Sequence, residues 1–407
     1  MGINLTRYKN RFEFNFQMKI MVIGHGAVGT VLCEMFSRER KVKSVVCVER
    51  TITHFRNRGK LHFKEVDISD KKQTMYLIKK EKPDLVINAS LPVFNRTLME
   101  ICLKNKINYL DLASYWDFDK RPKAKSPYKV EQLDFNSKFK KKRLIGLINA
   151  GVSPGLTNLL AKECVDLFDE IDSIKIRLYE DTKTPDFYFP WSIEWLLDEI
   201  NSKPLVYRNW KFRIMDNFSE EETYNFPRGI GKRKVALASQ EEVGTIPIFI
   251  QVKNVDIKIF DSQANIAKFL MRMVLVYKYE VKMCRCKISP VEFTSSLAKA
   301  KQKDFMKMKV PGDAQFIFAV EAEGKRNNKN KKAGFYAIFP KQKQINRLGL
   351  HANFISYPTA LCTKVFAMMI PKIKNCGVFP PEALDKKIRH KIINELKKYV
   401  KIRTFVR

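Results

Sequence analysis

Three glycines, Gly24, Gly26 and Gly29, follow a short apolar run, Ile20 to Ile23, and open a stretch in which Val31, Leu32, Met35 and Phe36 recur at helical spacing. Few patterns restrict a chain more. The apolar run has the length of a buried parallel strand. Gly24 permits a tight turn out of it, Gly26 removes the side chain that would stand where a pyrophosphate lies, and Gly29 lets the helix pack close to the strand. The amides that open the helix would face the phosphates with the positive end of its dipole. A second apolar run, Val45 to Val48, ends on Glu49 at the distance, about twenty residues, where such folds meet a ribose hydroxyl. Together these signals predict a dinucleotide site; a Rossmann-like domain without nucleotide is the alternative.

The alternation of short apolar runs with helical stretches continues from Met18 to Ala150, as in a parallel sheet wound by crossover helices. Strands are expected at Leu61 to Val66, Leu85 to Asn88, Tyr109 to Leu112 and Leu144 to Ile148, with helices at Thr74 to Lys80 and Arg96 to Asn105. Ligands bind outside the carboxyl ends of such strands, which draws attention to Asn88, Ser90, Asp111, Ser114 and Asn149, although each is equally a candidate cap or turn residue. After the turn at Ser153, Pro154 and Gly155 the texture changes to longer alternating strands, Ile174 to Tyr179, Val206 to Phe212 and Gln251 to Ile259. These predict a second α/β domain with a mixed, largely antiparallel sheet. Ala314 to Glu323 and Gly334 to Phe339 read as a hairpin whose tip is the basic loop GKRNNKNKK. Residues 1–17, before a second methionine, are expected to be a flexible extension.

The chain is 407 residues long, enough for two ordinary domains, and no apolar stretch approaches the roughly twenty residues that cross a bilayer. With no apolar secretion signal and with scattered cysteines inside apolar patterns, a cytoplasmic protein is expected. Cys284 and Cys286 form a lone CxC, poor spacing for a metal, so no metal site is expected. The net charge of +33 comes from 76 basic and 43 acidic residues spread along the whole sequence. It carries no nucleic-acid motif and no interleaved aromatics, which argues for a solvated surface over a nucleic-acid partner. Part of the excess would steer an anionic cofactor and a carboxylate substrate.

Eight segments resemble, in order, the saccharopine dehydrogenase-like oxidoreductases, the group of saccharopine reductase, carboxynorspermidine dehydrogenase and lysine 6-dehydrogenase. They are GHGAVG at Gly24 to Gly29, VINASLPVFNRTLMEICLKNKINYLDLAS at Val86 to Ser114, NAGVSPGLTNLLAKE at Asn149 to Glu163 and PWSIEWLLDEI at Pro190 to Ile200, followed by EEVGTIPIFIQ at Glu241 to Gln251, AQFIFAVEAEG from Ala314, ISYPTALCTKVFAMMI at Ile355 to Ile370 and GVFPPEAL at Gly377 to Leu384. The resemblance implies a Rossmann domain (18–150), a substrate and dimerisation domain (151–355) and a helical segment (356–407) that packs back on the first domain. It implies hydride transfer between NAD or NADP and a carbon bearing nitrogen, in an amino acid, an opine-like secondary amine or a carboxylated polyamine, by a homodimer. A catalytically silent protein of the same fold, holding an anionic partner on its basic surface, is the alternative.

By the same resemblance, Gly24, Gly26, Ala27, Val28 and Gly29 would hold the pyrophosphate, Glu49 would meet the adenosine ribose, and Asp67 and Ile68 would border the adenine. Ala89, Ser90, Leu91 and Pro92 would lead to the nicotinamide. Glu49 favours NAD by binding a free 2′-hydroxyl, whereas Arg50 beside it would pair with the 2′-phosphate of NADP; NAD is preferred. Asp111 would orient the ammonium or relay a proton, or else cap a turn, and Tyr357 would reach the cleft or pack. Ser90, Ser114, Asn149 and Asn158 would supply neutral hydrogen bonds, and one of Arg213, Arg228 and Arg233 would anchor a carboxylate. Ser356 stands where the family segment often has glycine.

Overall fold

The computed structural model describes residues 17–52, 56–115, 130–184, 190, 193–227, 229–307 and 310–406. The first half is built on parallel strands β1 (Met18–Ile23), β2 (Val42–Glu49), β3 (Leu61–Glu65), β4 (Leu85–Asn88), β5 (Asn108–Asp111) and β6 (Ile145–Leu147). They lie in the order β6-β5-β4-β1-β2-β3. Because neighbouring residues of a strand point to opposite faces, β1 divides its side chains between two cores. Ile20 and Val22 pack with Val31, Leu32 and Phe36 of the helix Ala27–Ser37, while Met21 and Ile23 pack with Leu98, Met99 and Cys102 of the helix Asn95–Asn105. Both faces are covered, which is why the strand reads as an unbroken apolar run.

The second half contributes β7 (Glu170–Asp181), β8 (Leu205–Arg208), β9 (Lys211–Ile214), β10 (Glu222–Phe226), β11 (Gly231–Leu237), β12 (Asn254–Asp261), the small pair β13 (Val281–Met283) and β14 (Cys286–Ile288), and then β15 (Gln315–Arg326), β16 (Lys329–Ile338), β17 (Gly377–Phe379) and β18 (Lys401–Val406). A large sheet runs β10-β11-β12-β7-β15-β16-β18, and β8 pairs with both β12 and β9. Only β12 and β7 are parallel among its described pairs, so the expected mixed, largely antiparallel sheet is present. On β7, Ile174, Ile176 and Leu178 join the main core, and Arg177 and Tyr179 point to the other face. There the fully buried Arg177 meets Glu222 at 2.6 Å and Asp256 at 2.5 Å, an ion pair network completed by Lys258 and Arg208.

Two expectations need correction. Val206 to Phe212 is two strands rather than one: Asn209 and Trp210, at φ of 49° and 65°, turn β8 into β9. The basic stretch after Glu323 is not a loop but the far end of a ladder that runs to Arg326 opposite Lys329 and closes on Asn327 and Asn328, at φ of 51° and 57°. Two-residue hairpin turns of this kind need φ > 0 at both centres, which asparagine tolerates best after glycine, and a ladder tip in water can be wholly polar. The segment after residue 355 returns to the first half, as expected, and also reaches the second. Its helix Ser356–Met369 packs on the helix Ala27–Ser37 and β17 extends the parallel sheet beside β6, but β18 pairs with β16 of the second sheet.

Candidate active site in the interdomain cleft

A cleft of about 1720 Å³ separates the carboxyl ends of the parallel strands from the second sheet. The turn after β1 forms one end. Gly29 packs so closely that an added Cβ would stand 2.0 Å from the Gly24 carbonyl oxygen, whereas a Cβ on Gly26 would meet nothing within 4 Å. The helix Ala27–Ser37 begins there with no side-chain cap, so its first amides open into the cleft. An uncapped helix start beneath open space, with a glycine where a side chain would intrude, fits a dinucleotide pyrophosphate. Glu49 stands beside it and accepts the His25 amide at 2.7 Å and the Arg50 amide at 2.9 Å. His25 packs edge-on against Phe63, and burial lowers the imidazole pKa.

Of the residues proposed from sequence, Gly24, Gly26, Ala27, Val28, Glu49, Arg50, Ala89, Ser90, Leu91 and Pro92 line this cleft together. Gly29 lies beneath them in the helix. Asp67 does not reach the lining: its exposed carboxylate, held below the usual range by the Ser69 hydroxyl and amide, shapes its own turn, and Ile68 packs into the second core.

The polar strand ends turn inward. Asp111 is buried and accepts the Asn149 amide at 2.8 Å and the Gln132 side chain at 3.2 Å. Burial pushes its pKa up to about 7. Ser114 donates to Asn149 at 2.8 Å in the same buried network, and neither lines the cleft. Ser90 sits at the lining, but its hydroxyl donates back to Asn88 at 2.6 Å. Asn158 is fully buried and binds the Gly155 amide and Glu382. Tyr357 faces away: Ser356 and Thr359 of its helix line the cleft, while its buried phenol, near Tyr399 and Cys362, is pushed up to about 12. Arg213 lies on the exposed β8–β9 hairpin and Arg233 over the Phe260 ring, both outside the cleft; Arg228 lies outside the described residues.

The opposite wall went unmarked in the sequence. β7 supplies Leu178 and Glu180, the helix Ile193–Asn201 supplies Asp198 and Glu199, and the turn before the helix Glu242–Phe249 supplies Ser239, Gln240 and Glu241. Along the whole described lining, Glu34, Glu49, Glu180, Asp198, Glu199 and Glu241 stand against only Arg50 and Lys299 among fixed charges. A chain of net charge +33 thus encloses an acidic cleft. Burial, then Asp261 and Glu199, raises the Glu180 pKa well above the usual carboxylate range. Burial and Asp261 push Glu199 up to about 8, and Glu241 is raised by burial, Glu242 and Glu199. Carboxylates held this close resist full ionisation until a cation arrives. The adjacent acids of EEVG and of LLDEI were local signals available.

Two family models match the chain. Residues 20–147 match the saccharopine dehydrogenase NADP binding domain and residues 151–402 the saccharopine dehydrogenase C-terminal domain. The carboxynorspermidine synthase of Vibrio cholerae is 27% identical over 259 residues, 59% of this chain and 62% of that protein. The carboxyaminopropylagmatine dehydrogenase of Synechocystis sp. is 27% identical over 246 residues, 58% of this chain and 59% of that one. The match therefore spans about three fifths of the length of these relatives. Among solved structures, the apo saccharopine dehydrogenase (L-Glu forming) of Saccharomyces cerevisiae has a TM-score of 0.66 at 11% identity, covering 95% of this chain and 100% of that one. A homospermidine synthase of Legionella pneumophila in complex with NAD has a TM-score of 0.62 at 14% identity, covering 96% and 91%. At such identities the two structures bear on the fold alone.

Proposed function

The chain belongs to the saccharopine dehydrogenase family, and from that premise we propose that it is an NAD(P)-dependent oxidoreductase acting at a C–N bond of a cationic, polyamine-like substrate. The observation that carries the substrate class is the reversal of charge between the basic surface and the acidic cleft wall of Glu180, Glu199 and Glu241. Ammonium groups entering there replace mutual repulsion by attraction, whereas a substrate whose recognised end is a carboxylate finds no arginine on that wall among the described residues. The names of the sequence relatives, which concern carboxynorspermidine and carboxyaminopropylagmatine, both carboxylated amines, support the amine part of this reading.

The nicotinamide dinucleotide, when bound, accepts or gives the hydride. The rest falls to the protein. The uncapped helix start and Gly26 would receive the pyrophosphate, and Glu49, fixed by two amides, would offer its remaining lone pairs to the ribose diol, favouring NAD. Arg50 is the group that a 2′-phosphate would reach. The loop Ala89 to Pro92 would run beside the nicotinamide, facing the acidic wall across the cleft.

The test is a fluorescence titration of the purified protein with NADH and NADPH, followed by nicotinamide absorbance with carboxynorspermidine, norspermidine and saccharopine. Dinucleotide binding with turnover of the polyamines above saccharopine is expected. Failure to bind either dinucleotide would sink the enzyme, and binding without turnover of any amine would leave a silent binding protein.

A further inference from the structure

The carboxylate of Glu242 is completely buried and does not line the cleft, yet Ser153, which does, donates from its hydroxyl to Oε1. Ser153 occupies the turn between β6 and the helix Leu156–Val165. That turn is rigid: Gly155 has φ of 134°, and an added Cβ would stand 2.2 Å from the Gly151 carbonyl oxygen. A second hydroxyl, of Thr157, donates to the same Oε1 at 2.8 Å. Oε2 has no hydrogen-bond partner, which costs a buried ionised oxygen more than a neutral one.

We propose that Ser153 and Glu242 form a proton relay, Ser153 exchanging a proton with the reacting nitrogen of the substrate and Glu242 acting behind it as the proton store. The relay rests on the amine-oxidoreductase function proposed above. Ser153 is placed for it, because it follows β6 on the edge where Ala89 to Pro92 and Leu112 also end, and its bond to Glu242 brings it next to Glu241 of the acidic wall. A substrate ammonium has no lone pair with which to expel hydride from its carbon. In the oxidative direction the ammonium N–H bond breaks and that proton joins Ser153 Oγ, while the Ser153 O–H bond breaks and its proton joins Glu242. The amine is left neutral, so its lone pair forms the C=N bond as hydride leaves for the oxidised nicotinamide. In the reductive direction the same proton returns to the amine.

Glu242 stands among other buried carboxyl groups. Glu241, Glu199 and Glu382 each sense its charge, and burial raises its own pKa above the usual carboxylate range against the opposing pull of the Ser153 and Thr157 hydroxyls. Asn158 and Thr157 link it to Glu382, whose pKa burial pushes to about 7.

The experiment compares wild type, Ser153→Ala, Ser153→Thr and Glu242→Gln in two measurements. With carboxynorspermidine and the oxidised dinucleotide, the wild-type kcat should fall as pH is lowered through the Glu242 titration. Ser153→Ala and Glu242→Gln should lose roughly 10²- to 10⁴-fold in kcat and lack that limb, with dinucleotide affinity unchanged, and Ser153→Thr should recover most of the rate. Infrared titration of the resting protein needs no turnover: a carboxylic C=O band absent from Glu242→Gln and displaced in Ser153→Ala is expected. A wild type that oxidises no amine refutes the proposed function, and the infrared band still reads the relay on its own. Ser153→Ala with wild-type rate and pH profile, or a band indifferent to that substitution, overturns the relay. Should Glu242→Gln not fold, the two Ser153 variants decide it.

Discussion

Glu49 accepts the backbone amide of His25 at 2.7 Å, so the residue that ends β2 is bonded into the loop that follows β1. The carboxylate that selects a ribose therefore also fixes the glycine turn beneath the pyrophosphate. Glu49→Ala should remove both effects, weakening NAD by roughly tenfold, about 1.4 kcal/mol, and shifting preference toward NADP. Paired titrations with NADH and NADPH check this, and an unchanged ratio would refute the selective role.

Gly26 and Gly29 make opposite demands. Gly29→Ala drives a Cβ into the Gly24 carbonyl and should destabilise the protein by about 3 kcal/mol or more, read by denaturant unfolding. Gly26→Ala has room in the protein itself, so it should fold normally and lose at least about tenfold in dinucleotide affinity.

Glu199 gives the cleft a pH dependence of known sign. Its pKa is pushed up to about 8, so the carboxylate that would attract an ammonium is increasingly present as pH rises through that value. The KM for norspermidine or carboxynorspermidine should fall between pH 6 and 9. Glu199→Gln should flatten this trend and raise KM by roughly tenfold at the upper end, leaving dinucleotide affinity untouched.

For Asp111 the consequence is stability. Its folded pKa, about 7, lies above the unfolded value near 3.9, so the folded state holds the proton more tightly. That contribution is complete below about pH 4 and is lost as pH rises toward 7. Urea midpoints measured from pH 5 to 8 should decline in the wild type and decline less in Asp111→Asn, by at most a few kcal/mol.

Arg177 anchors the far face of the second sheet. Arg177→Ala should cost about 3 kcal/mol, the lower end for a broken buried pair, because Arg208 still reaches Asp256 at 2.8 Å and Lys258 still reaches Glu222 at 3.1 Å. Denaturant unfolding reads it.

The dinucleotide half was legible because each of its signals is local. A strand, a turn glycine and a helix start lie within twenty residues from Met18 to Ser37, and the β2 run ends on its own acid. The cleft wall was not, since Glu180 sits on a strand, Glu199 on a helix and Glu241 in a turn, and only the fold brings them to one surface. Two of the three arginines expected to anchor a carboxylate lie outside the cleft for the same reason: side-chain type identified them, whereas topology put Arg213 on a hairpin and Arg233 on the outer sheet face. Ser90, Asp111, Ser114 and Asn149 were correctly placed at strand ends. Their side chains are nonetheless engaged within the protein, Ser90 with Asn88, Ser114 with Asn149, and Asp111 with Gln132 and the Asn149 amide, which no spacing reveals.

β17 and β18 lie within thirty residues of each other, yet one edges the parallel sheet and the other the mixed sheet. The chain thus threads first lobe, second lobe, first lobe and second lobe again, like a lace drawn twice through two eyelets. No single cut releases either lobe with its sheet intact. Heat should accordingly melt both in one calorimetric transition, and a fragment ending before Gly377 should strip an edge from each at once.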